Sequence, residues 1–164
     1  MVGDRVVVRS ASDADRPALE ALMGCPGVRA WWWDFDVEEL SEKLGQPDVV
    51  PLVVEHDDRV IGYIQFSDEE SLQYHFASID LALHDDHQGL GFGRDAVRTL
   101  ARYLFEVRGH HRITIDPAVA NARAIACYQS VGFRPVGTLR EYERNADGTW
   151  HDGLLMELLA GDLR

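Results

Sequence analysis

A glycine-rich turn between two apolar segments limits most strongly how this chain can fold. The sequence over 87–94 reads His-Gln-Gly-Leu-Gly-Phe-Gly-Arg, with an apolar segment before it and a helical pattern after it. A strand, a glycine-rich turn and a helix in this order present unpaired backbone N–H groups at a helix N-terminus, where the helix dipole also favours negative charge. The turn is therefore a candidate cradle for a diphosphate, although glycine also caps helices and allows close packing.

The spacing of the glycines argues against two common phosphate-binding loops. A dinucleotide-binding fold uses Gly-x-Gly-x-x-Gly near its N-terminus, with an acidic residue about 20 residues later. Here Gly89, Gly91 and Gly93 alternate late in the chain. A Walker-type loop ends in Gly-Lys-Ser/Thr, but Gly93 is followed by Arg94 and Asp95.

The length and composition indicate one domain over residues 1–164. With 46% hydrophobic residues among 164, the chain can bury a core of its own. No apolar run approaches the roughly 20 residues that cross a bilayer, and the first residues lack the apolar segment and cleavage site of a signal peptide. We therefore expect a cytoplasmic protein that does not associate with membranes.

The net charge and the cysteine content limit which ligands and partners the chain can bind. Acidic residues outnumber basic ones by 28 to 16, and the formal net charge is -12. Such a charge opposes contacts with the phosphates of nucleic acids and anionic lipids, and it favours a cationic substrate. Cys25 and Cys127 lie far apart, and no His or Cys pair has the spacing of a zinc site. We expect no metal and no structural disulfide, and we expect Cys127 to be a small core residue.

Periodicity and turn residues predict seven strands and four helices in one mixed α/β order. The predicted strands are Arg5–Arg9, Val49–Glu55, Arg59–Phe66, His75–Leu83, Arg112–Asp116, Phe133–Arg140 and Trp150–Leu158. The predicted helices are Pro17–Met23, Val37–Leu44, Phe92–Val107 and Asn121–Val131. Gly62 is expected to mark a bulge, the polar segment 67–73 a loop, and His110 and His111 the surface.

Two segments resemble the GNAT superfamily of acetyl-CoA-dependent N-acyltransferases. Gln88-Gly-Leu-Gly-Phe-Gly93 is similar to its pyrophosphate loop, Gln/Arg-x-x-Gly-x-Gly/Ala, and residues 121–133 are similar to its second cofactor-contacting helix. The two motifs lie at the separation expected in that superfamily, and the resemblance covers roughly the whole chain. It implies a central mixed, mostly antiparallel sheet of six to seven strands flanked by about four helices.

Two groups within the superfamily share features with this chain. Residues 115–133 most resemble the aminoglycoside 6'-N-acetyltransferases, whose corresponding strand also ends in Asp-Pro, and Ile79-Asp80 and the early tryptophans fit the same group. The tail differs, because residues 137–142 and 150–156 resemble the branch that acetylates protein N-termini, including those of ribosomal proteins. The resemblance therefore leaves the acceptor open while it implies one reaction.

The resemblance also implies acetyl-CoA as the cofactor. Backbone N–H groups from Gln88 to Arg94 are expected to hold its pyrophosphate, and the strand Leu81–Leu83 to splay from its neighbour, pair with the pantetheine arm and face the thioester oxygen. Asn121 and Tyr128 are seven residues apart, about 10.5 Å along one helix face, so both can address the cofactor. The implied cofactor-binding residues are Leu81, Ala82, Leu83, Gln88, Gly89, Leu90, Gly91, Phe92, Gly93, Arg94, Asn121, Ala124 and Tyr128.

Two side chains are candidates for proton transfer. Tyr128 can donate to the departing thiolate, since a phenol has a pKa of about 10; the alternative is an ordinary core aromatic residue. The acceptor amine arrives protonated at neutral pH, and Asp116, at a strand end, is the leading candidate to take its proton or to hold the ammonium group. The alternative for Asp116 is a turn residue before Pro117.

Aromatic and acidic residues are candidates for acceptor binding. They are Trp32, Trp33, Asp34, Asp80 and Asp116, with Trp31, Asp36 and the run 68–70 extending the set. Ion pairs, sugar stacking and cation–π contacts in such a cleft suit a cationic amine. Three consecutive tryptophans cannot all face one core, because neighbouring side chains diverge. At least one is therefore exposed to a substrate or to the partner in a homodimer.

The leading hypothesis is an acetyl-CoA-dependent N-acetyltransferase that acts on a small-molecule amine. An aminoglycoside 6'-amino group, as in antibiotic resistance, is the expected acceptor, and it attacks the thioester directly. A second hypothesis replaces this acceptor by a protein N-terminal amine. A third hypothesis is a non-catalytic acyl-CoA-binding module. It is disfavoured by the presence of Asp116, Asn121 and Tyr128.

Overall fold

One seven-stranded sheet organises the molecule. The computed structural model describes residues 1–32, 49–69 and 71–164. The strands are β1 (Val7–Ser10), β2 (Val49–His56), β3 (Arg59–Glu69), β4 (Phe76–Leu83), β5 (Arg112–Ile115), β6 (Arg134–Arg144) and β7 (Trp150–Leu159). They follow the order β1-β2-β3-β4-β5-β7-β6, and only β4 and β5 pair in parallel within the described ranges. The predicted mixed, mostly antiparallel sheet is confirmed.

Four α-helices in the described part cover both faces of this sheet. They are α1 (Arg16–Met23), α2 (Pro26–Arg29), α3 (Phe92–Glu106) and α4 (Ala122–Val131). An apolar stripe along α3 packs with Leu52 and Val54 of β2 in the larger core. Its fully buried members are Val97, Leu100, Ala101 and Leu104. α1 packs with Val53, which points to the opposite face because side chains alternate along a strand. No helix among the described residues is long and apolar enough to cross a membrane.

The strands β4 and β5 separate towards their C-terminal ends. Their parallel pairing runs only from Phe76 opposite Arg112 to Ser78 opposite Thr114. β4 nevertheless continues beside β3 as far as Leu83, and β5 stays paired with β7 at its last residue. A gap therefore opens along residues 80–83 of β4, which is where a splayed strand was predicted.

Some local predictions differ from the structure. The segment 67–73, predicted as a loop, continues β3 as far as Glu69, because Asp68 and Glu69 pair with residues of β4. The predicted end of the first helix is followed by α2, which begins at Pro26, a residue suited to a first helical turn. The bulge expected at Gly62 is confirmed by a register shift beside it. The predicted helix Val37–Leu44 lies outside the described residues.

His110 is buried, so its predicted surface position is wrong. Its Nε2 atom lies 2.7 Å from Oδ1 of Asp68, and its ring packs against that of His75 with centroids 4.6 Å apart. Arg108 donates a hydrogen bond to the same carboxylate. The extension of β3 carries Asp68 to the connection between α3 and β5, and local sequence around His110 contains no sign of that partner. His111 is exposed, as predicted.

Candidate active site

The glycine turn forms one wall of a cavity at the gap between β4 and β5. Gly89 and Gly91 have φ values of 74° and 89°, in the left-handed region that favours glycine. Gly91 is the N-cap of α3, so the first N–H groups of this helix have no acceptor within it. All three glycines border a cavity of about 670 Å³.

Gly93 has a different function from the other two glycines, because it allows α3 to lie close to β4 and α4. A Cβ atom at this position would come within 3.2 Å of Cδ1 of Leu83 and 3.4 Å of Cδ2 of Leu81. The Sγ atom of Cys127 on α4 would be 3.5 Å away. Both roles considered for the glycines therefore occur, a left-handed backbone at Gly89 and Gly91 and close packing at Gly93.

Side chains on two sides of the turn hold it in place. The Gln88 amide donates to the carbonyl of Leu83 at 2.7 Å and to Oδ1 of Asp85 at 3.1 Å, which ties the turn to the end of β4. On the other side, Arg5 donates to the carbonyl of Leu90. The guanidinium of Arg5 also lies 4.2 Å from the centre of the Phe92 ring. The turn is thus preorganised for a ligand, which lowers the entropy loss of binding.

Nearly all the residues expected at the cofactor border this cavity. They are Leu81, Ala82, Leu83, Gln88, Gly89, Gly91, Gly93, Arg94, Asn121, Ala124 and Tyr128. Leu90 and Phe92 do not border it, since the Leu90 residue is 54% exposed and the Phe92 ring is buried beside His56. Only the backbone groups of these two residues can serve the predicted role.

The helix α4 and its N-cap bring three side chains to the cavity, the candidates Asn121 and Tyr128 and also Cys127, which was predicted to lie in the core. Asn121 caps the helix as predicted, with its side-chain oxygen accepting from the N–H of Ala124 at 3.1 Å. Tyr128 is 6% exposed; burial is the main cause that raises the pKa of its phenol, and nearby carboxylates add to it. Burial also raises the pKa of the Cys127 thiol to about 11, so this thiol stays neutral at physiological pH.

Asp80 borders the cavity and is held by a chain of hydrogen bonds from β3. The Tyr63 phenol donates to Oε1 of Gln65 at 2.8 Å, and the Gln65 amide donates to Oδ2 of Asp80 at 2.9 Å. Gln65 lies directly opposite Asp80 in the sheet. Burial raises the pKa of Tyr63, so its phenol remains a donor. Asp80 therefore belongs to the cavity and not to the outer surface.

Two tryptophans add aromatic surface to the cavity. Trp31 and Trp32 are partly buried and border it, and Trp32 packs edge-on against Tyr63 with ring centroids 5.9 Å apart. The predicted residues Trp33, Asp34 and Asp36 lie outside the described residues.

The acidic run 68–70 was predicted to wall the same cleft, and the structure contradicts this for its described members. Neither Asp68 nor Glu69 borders the cavity. The Asp68 side chain is 6% exposed and pairs with His110 and Arg108 instead. Glu70 lies outside the described residues.

Two residues of β6 border the cavity although sequence reasoning did not select them. The Tyr142 phenol donates to Oδ2 of Asp116, which follows β5 directly, and Glu143 lines the same space. The hydrogen bond to Asp116 is the main cause that raises the pKa of Tyr142. Alternation along a strand could not place these side chains, because the register of β6 against β7 shifts between Leu139 and Glu143.

The charges around the cavity are segregated. Arg94 and Arg123 stand in the first turns of α3 and α4, where the helix dipoles also favour an anion. Asp80, Asp116 and Glu143 supply carboxylates along the strands. The residues present therefore fit a diphosphate at the glycine turn and a cation beside the carboxylates. No three His, Cys, Asp or Glu side chains within residues 1–32, 49–69 and 71–164 are grouped to hold a metal ion.

Comparison with known proteins identifies the same family that segments 88–93 and 121–133 resemble. Residues 16–133 match the Acetyltransferase (GNAT) family. The chain is 30% identical over 155 residues to the aminoglycoside N(6')-acetyltransferase type 1 of Klebsiella pneumoniae, covering 83% of this chain and 77% of the relative. It is 25% identical over 166 residues to the spermidine N(1)-acetyltransferase of Vibrio cholerae, covering 96% and 95%. The structure of AAC(6')-Ib in complex with paromomycin and acetyl-CoA matches with a TM-score of 0.80 and 27% identity, covering 97% of this chain and 96% of that one.

The fold, the glycine turn and these relatives define an acetyl-CoA-dependent N-acetyltransferase. The chain belongs to the GNAT acetyltransferase family, as the segments 88–93 and 121–133 implied. Its cofactor is acetyl-CoA.

Proposed function

We propose that this chain transfers an acetyl group to a primary amine of a polycationic small molecule, with the 6'-amino group of an aminoglycoside as the leading acceptor. One observation carries the proposal: a single cavity reaches from the glycine turn to Asp80, Asp116, Trp31 and Trp32. Carboxylates pair with ammonium groups, and indole faces bind cations and sugar rings. The names of two relatives, an aminoglycoside and a spermidine acetyltransferase, point to acceptors of this chemistry.

Acetyl-CoA supplies the acetyl group as an activated thioester. The N–H groups of residues 88–94 bind its pyrophosphate at the N-terminus of α3, and Arg94 adds positive charge. Along Leu81–Leu83, the edge of β4 that faces the gap lacks a partner strand among the described residues. Backbone groups on this edge pair with the pantetheine arm, and one N–H polarises the thioester carbonyl.

Two side chains then move protons at the reacting groups. Asp116 holds the incoming ammonium group and receives its proton, directly or through water. Tyr128 donates its phenol proton to the departing thiolate, since its raised pKa keeps it protonated until then, and the phenolate takes up the second proton that the amine nitrogen loses as the amide forms. Cys127 borders the cavity as a neutral thiol and is a poor nucleophile, which favours direct attack of the amine over an acyl-enzyme.

Two other acceptors have specific support. A linear polyamine is favoured by the spermidine acetyltransferase, whose similarity extends over 96% of this chain. A protein N-terminal amine is favoured by the tail, because Tyr142, the last residue of the segment 137–142, borders the cavity. An aminoglycoside remains the leading acceptor because the relative with that name has the higher identity, 30%.

A side-by-side turnover screen tests the proposal. Purified protein is incubated with acetyl-CoA and one of kanamycin, tobramycin, spermidine, spermine or short peptides with free N-termini. Release of the CoA thiol and the mass of the product are measured. We expect the highest kcat/KM with an aminoglycoside. Preference for the peptides would replace the proposed acceptor, and binding of acetyl-CoA without thiol release would identify a non-catalytic module.

A pair of charge-removing variants tests the acceptor end of the cavity. Asp80→Asn is expected to raise the KM of the polycation about tenfold, the effect of losing an interaction with a charged group. Asp57→Asn removes the same charge from an exposed turn outside the cavity and serves as the control. Equal effects of the two variants would mean that only the net charge matters.

A further inference from the structure

The phenol of Tyr142 on β6 donates a hydrogen bond to Asp116. This contact lies where β6, β7 and the segment that follows β5 meet. We propose that Tyr142 is a positioning residue for the acceptor amine: it holds Oδ2 of Asp116 so that Oδ1 meets the incoming ammonium group. The inference rests on the proposed function, since it takes Asp116 as the group that receives the amine. Oδ1 of Asp116 has no hydrogen-bond partner among the described residues.

An irregularity in β6 brings Tyr142 to this place. Leu139 pairs with Gly153 and Glu143 pairs with His151, so residues 140–142 face the single residue Asp152. Glu141 has a φ of 50°, which few residues other than glycine adopt. Its N–H donates to Oδ1 of Asp152 at 2.8 Å. The side chain of Asp152 on β7 thus holds the backbone of the bulge at Glu141, the residue before Tyr142.

The ring of Tyr142 lies against Gly153, which is buried. A Cβ atom at Gly153 would come within 2.7 Å of Cδ1 of Tyr142 and 3.3 Å of its Cγ. Cβ atoms essentially never come as close as 2.7 Å to another heavy atom, so a side chain at position 153 would displace the ring. The missing side chain on β7 therefore allows the phenol to reach across the strand towards Asp116.

Asp116 is tied to the same part of β7 from the other side. The N–H of Leu154 donates to the carbonyl of Pro117 at 2.8 Å, and the N–H of Val119 donates to the carbonyl of Asp152 at 2.9 Å. Ala118 and Gly153 form an isolated antiparallel bridge. Both partners of the hydrogen bond are therefore held close to residues 152–154 of β7.

The direction of this hydrogen bond suits a carboxylate that receives an ammonium group. The pKa of Tyr142 is raised, mainly by its bond to Asp116, so the phenol acts as a donor throughout the neutral range. A donor on Oδ2 restricts rotation of the carboxyl group, and fixed geometry at a reacting group increases the rate.

The variant Tyr142→Phe removes the phenol oxygen and keeps the ring on Gly153. We expect kcat/KM for the best amine to fall by about tenfold or more, as for the loss of a hydrogen bond to a charged group. The Kd of acetyl-CoA and the melting temperature stay unchanged. Tyr74→Phe is the matched control, because Tyr74 is exposed and does not border the cavity. Loss of acetyl-CoA affinity and melting temperature together with activity would overturn the proposal in favour of a structural role.

A double-mutant cycle with Asp116→Asn separates positioning from an independent effect. If Tyr142 acts through Asp116, Tyr142→Phe changes kcat/KM by less than about twofold in the Asp116→Asn background, because the two residues are coupled. An equal loss in both backgrounds contradicts the proposal. Wild-type protein that acetylates no amine contradicts the proposed function as well, whereas an active wild type with an unaffected Tyr142→Phe variant contradicts this inference alone.

The variant Gly153→Ala disturbs the hydrogen bond between Tyr142 and Asp116 without changing either of these residues. The added Cβ displaces the Tyr142 ring, so kcat/KM for the amine falls as in Tyr142→Phe, and combining the two substitutions adds no further loss. A Gly153→Ala variant with wild-type kcat/KM and an unchanged melting temperature would show that the alignment of Tyr142 does not matter.

Discussion

Burial and location together support the donor role that we propose for Tyr128. The residue is 6% exposed and borders the cavity on α4. Its raised pKa, caused chiefly by burial, means that the phenol keeps its proton above pH 10, the usual pKa of a tyrosine being about 10. The phenol is therefore available as a donor over the whole range in which free amines become deprotonated.

Substitution of Tyr128 by Phe tests this role. Removing the donor is expected to lower kcat by about 100-fold, a typical contribution of general acid catalysis, while the Kd of acetyl-CoA stays the same. Because the pKa is raised, deprotonation of Tyr128 does not reduce the wild-type kcat between pH 7 and about 9.5. Steady-state rates of both proteins across that range provide the measurement. A decline below pH 9.5 that is absent from Tyr128→Phe would contradict the raised pKa.

The location of residues that local sequence brings to the cavity was predictable, and the location of residues placed by distant contacts was not. Asn121 and Tyr128 share a helix face, and Asp116 follows a strand, so spacing and resemblance brought all three to the cavity. Tyr142 reaches it through a bulge in β6 whose partner lies on β7. Asp68 was assigned to the cleft by its charge, yet it pairs with His110, a contact between residues 42 apart in sequence.

Among the elements, the glycine turn makes the most specific demand on sequence. Gly89 has a φ of 74° and Gly109 a φ of 76°, and a Cβ atom at either would meet no atom within 4 Å. Alanine at either position therefore introduces a similar backbone strain, about 1–2 kcal/mol. The two glycines differ in location, since Gly89 borders the cavity and Gly109 does not.

This pair separates the backbone requirement of the cofactor from general stability. We expect Gly89→Ala and Gly109→Ala to lower the free energy of unfolding by similar amounts. Only Gly89→Ala raises the Kd of acetyl-CoA, by about tenfold if one backbone hydrogen bond to a charged phosphate is lost. Denaturant unfolding and calorimetric titration provide the two measurements. An unchanged Kd for Gly89→Ala would mean that the turn does not bind the pyrophosphate.

Helices and strands with a clear pattern of apolar residues were predicted well, but the positions of their ends were predicted less well. The buried stripe of α3 identifies this helix because it forms one apolar face. The continuous apolar run of β2 identifies this strand, which is buried on both faces of the sheet. The extension of β3 beyond Phe66 was missed because Ser67, Asp68 and Glu69 are polar, and pairing with β4 determines their conformation. The gap between β4 and β5 was expected only through the resemblance, since splaying of two strands leaves no local pattern.

At the scale of the whole molecule, the net charge of -12 has opposite consequences for the two substrates. It attracts a polycationic amine and repels the anionic cofactor, whose binding then depends on the local positive groups. Arg94 and Arg123 border the cavity at the first turns of their helices. With the acceptor that we propose, the overall field favours its approach, and we expect short-range contacts to hold the cofactor.

The dependence of kcat/KM on salt tests this division. With acetyl-CoA saturating at every salt concentration, raising NaCl from about 50 to about 500 mM shortens the Debye length. We expect kcat/KM for a polycationic acceptor to fall about tenfold, because steering by opposite charge is screened, and kcat/KM for a monoamine acceptor to fall much less. Values for both acceptors that stay constant or fall in parallel would mean that acceptor binding depends on the cavity alone.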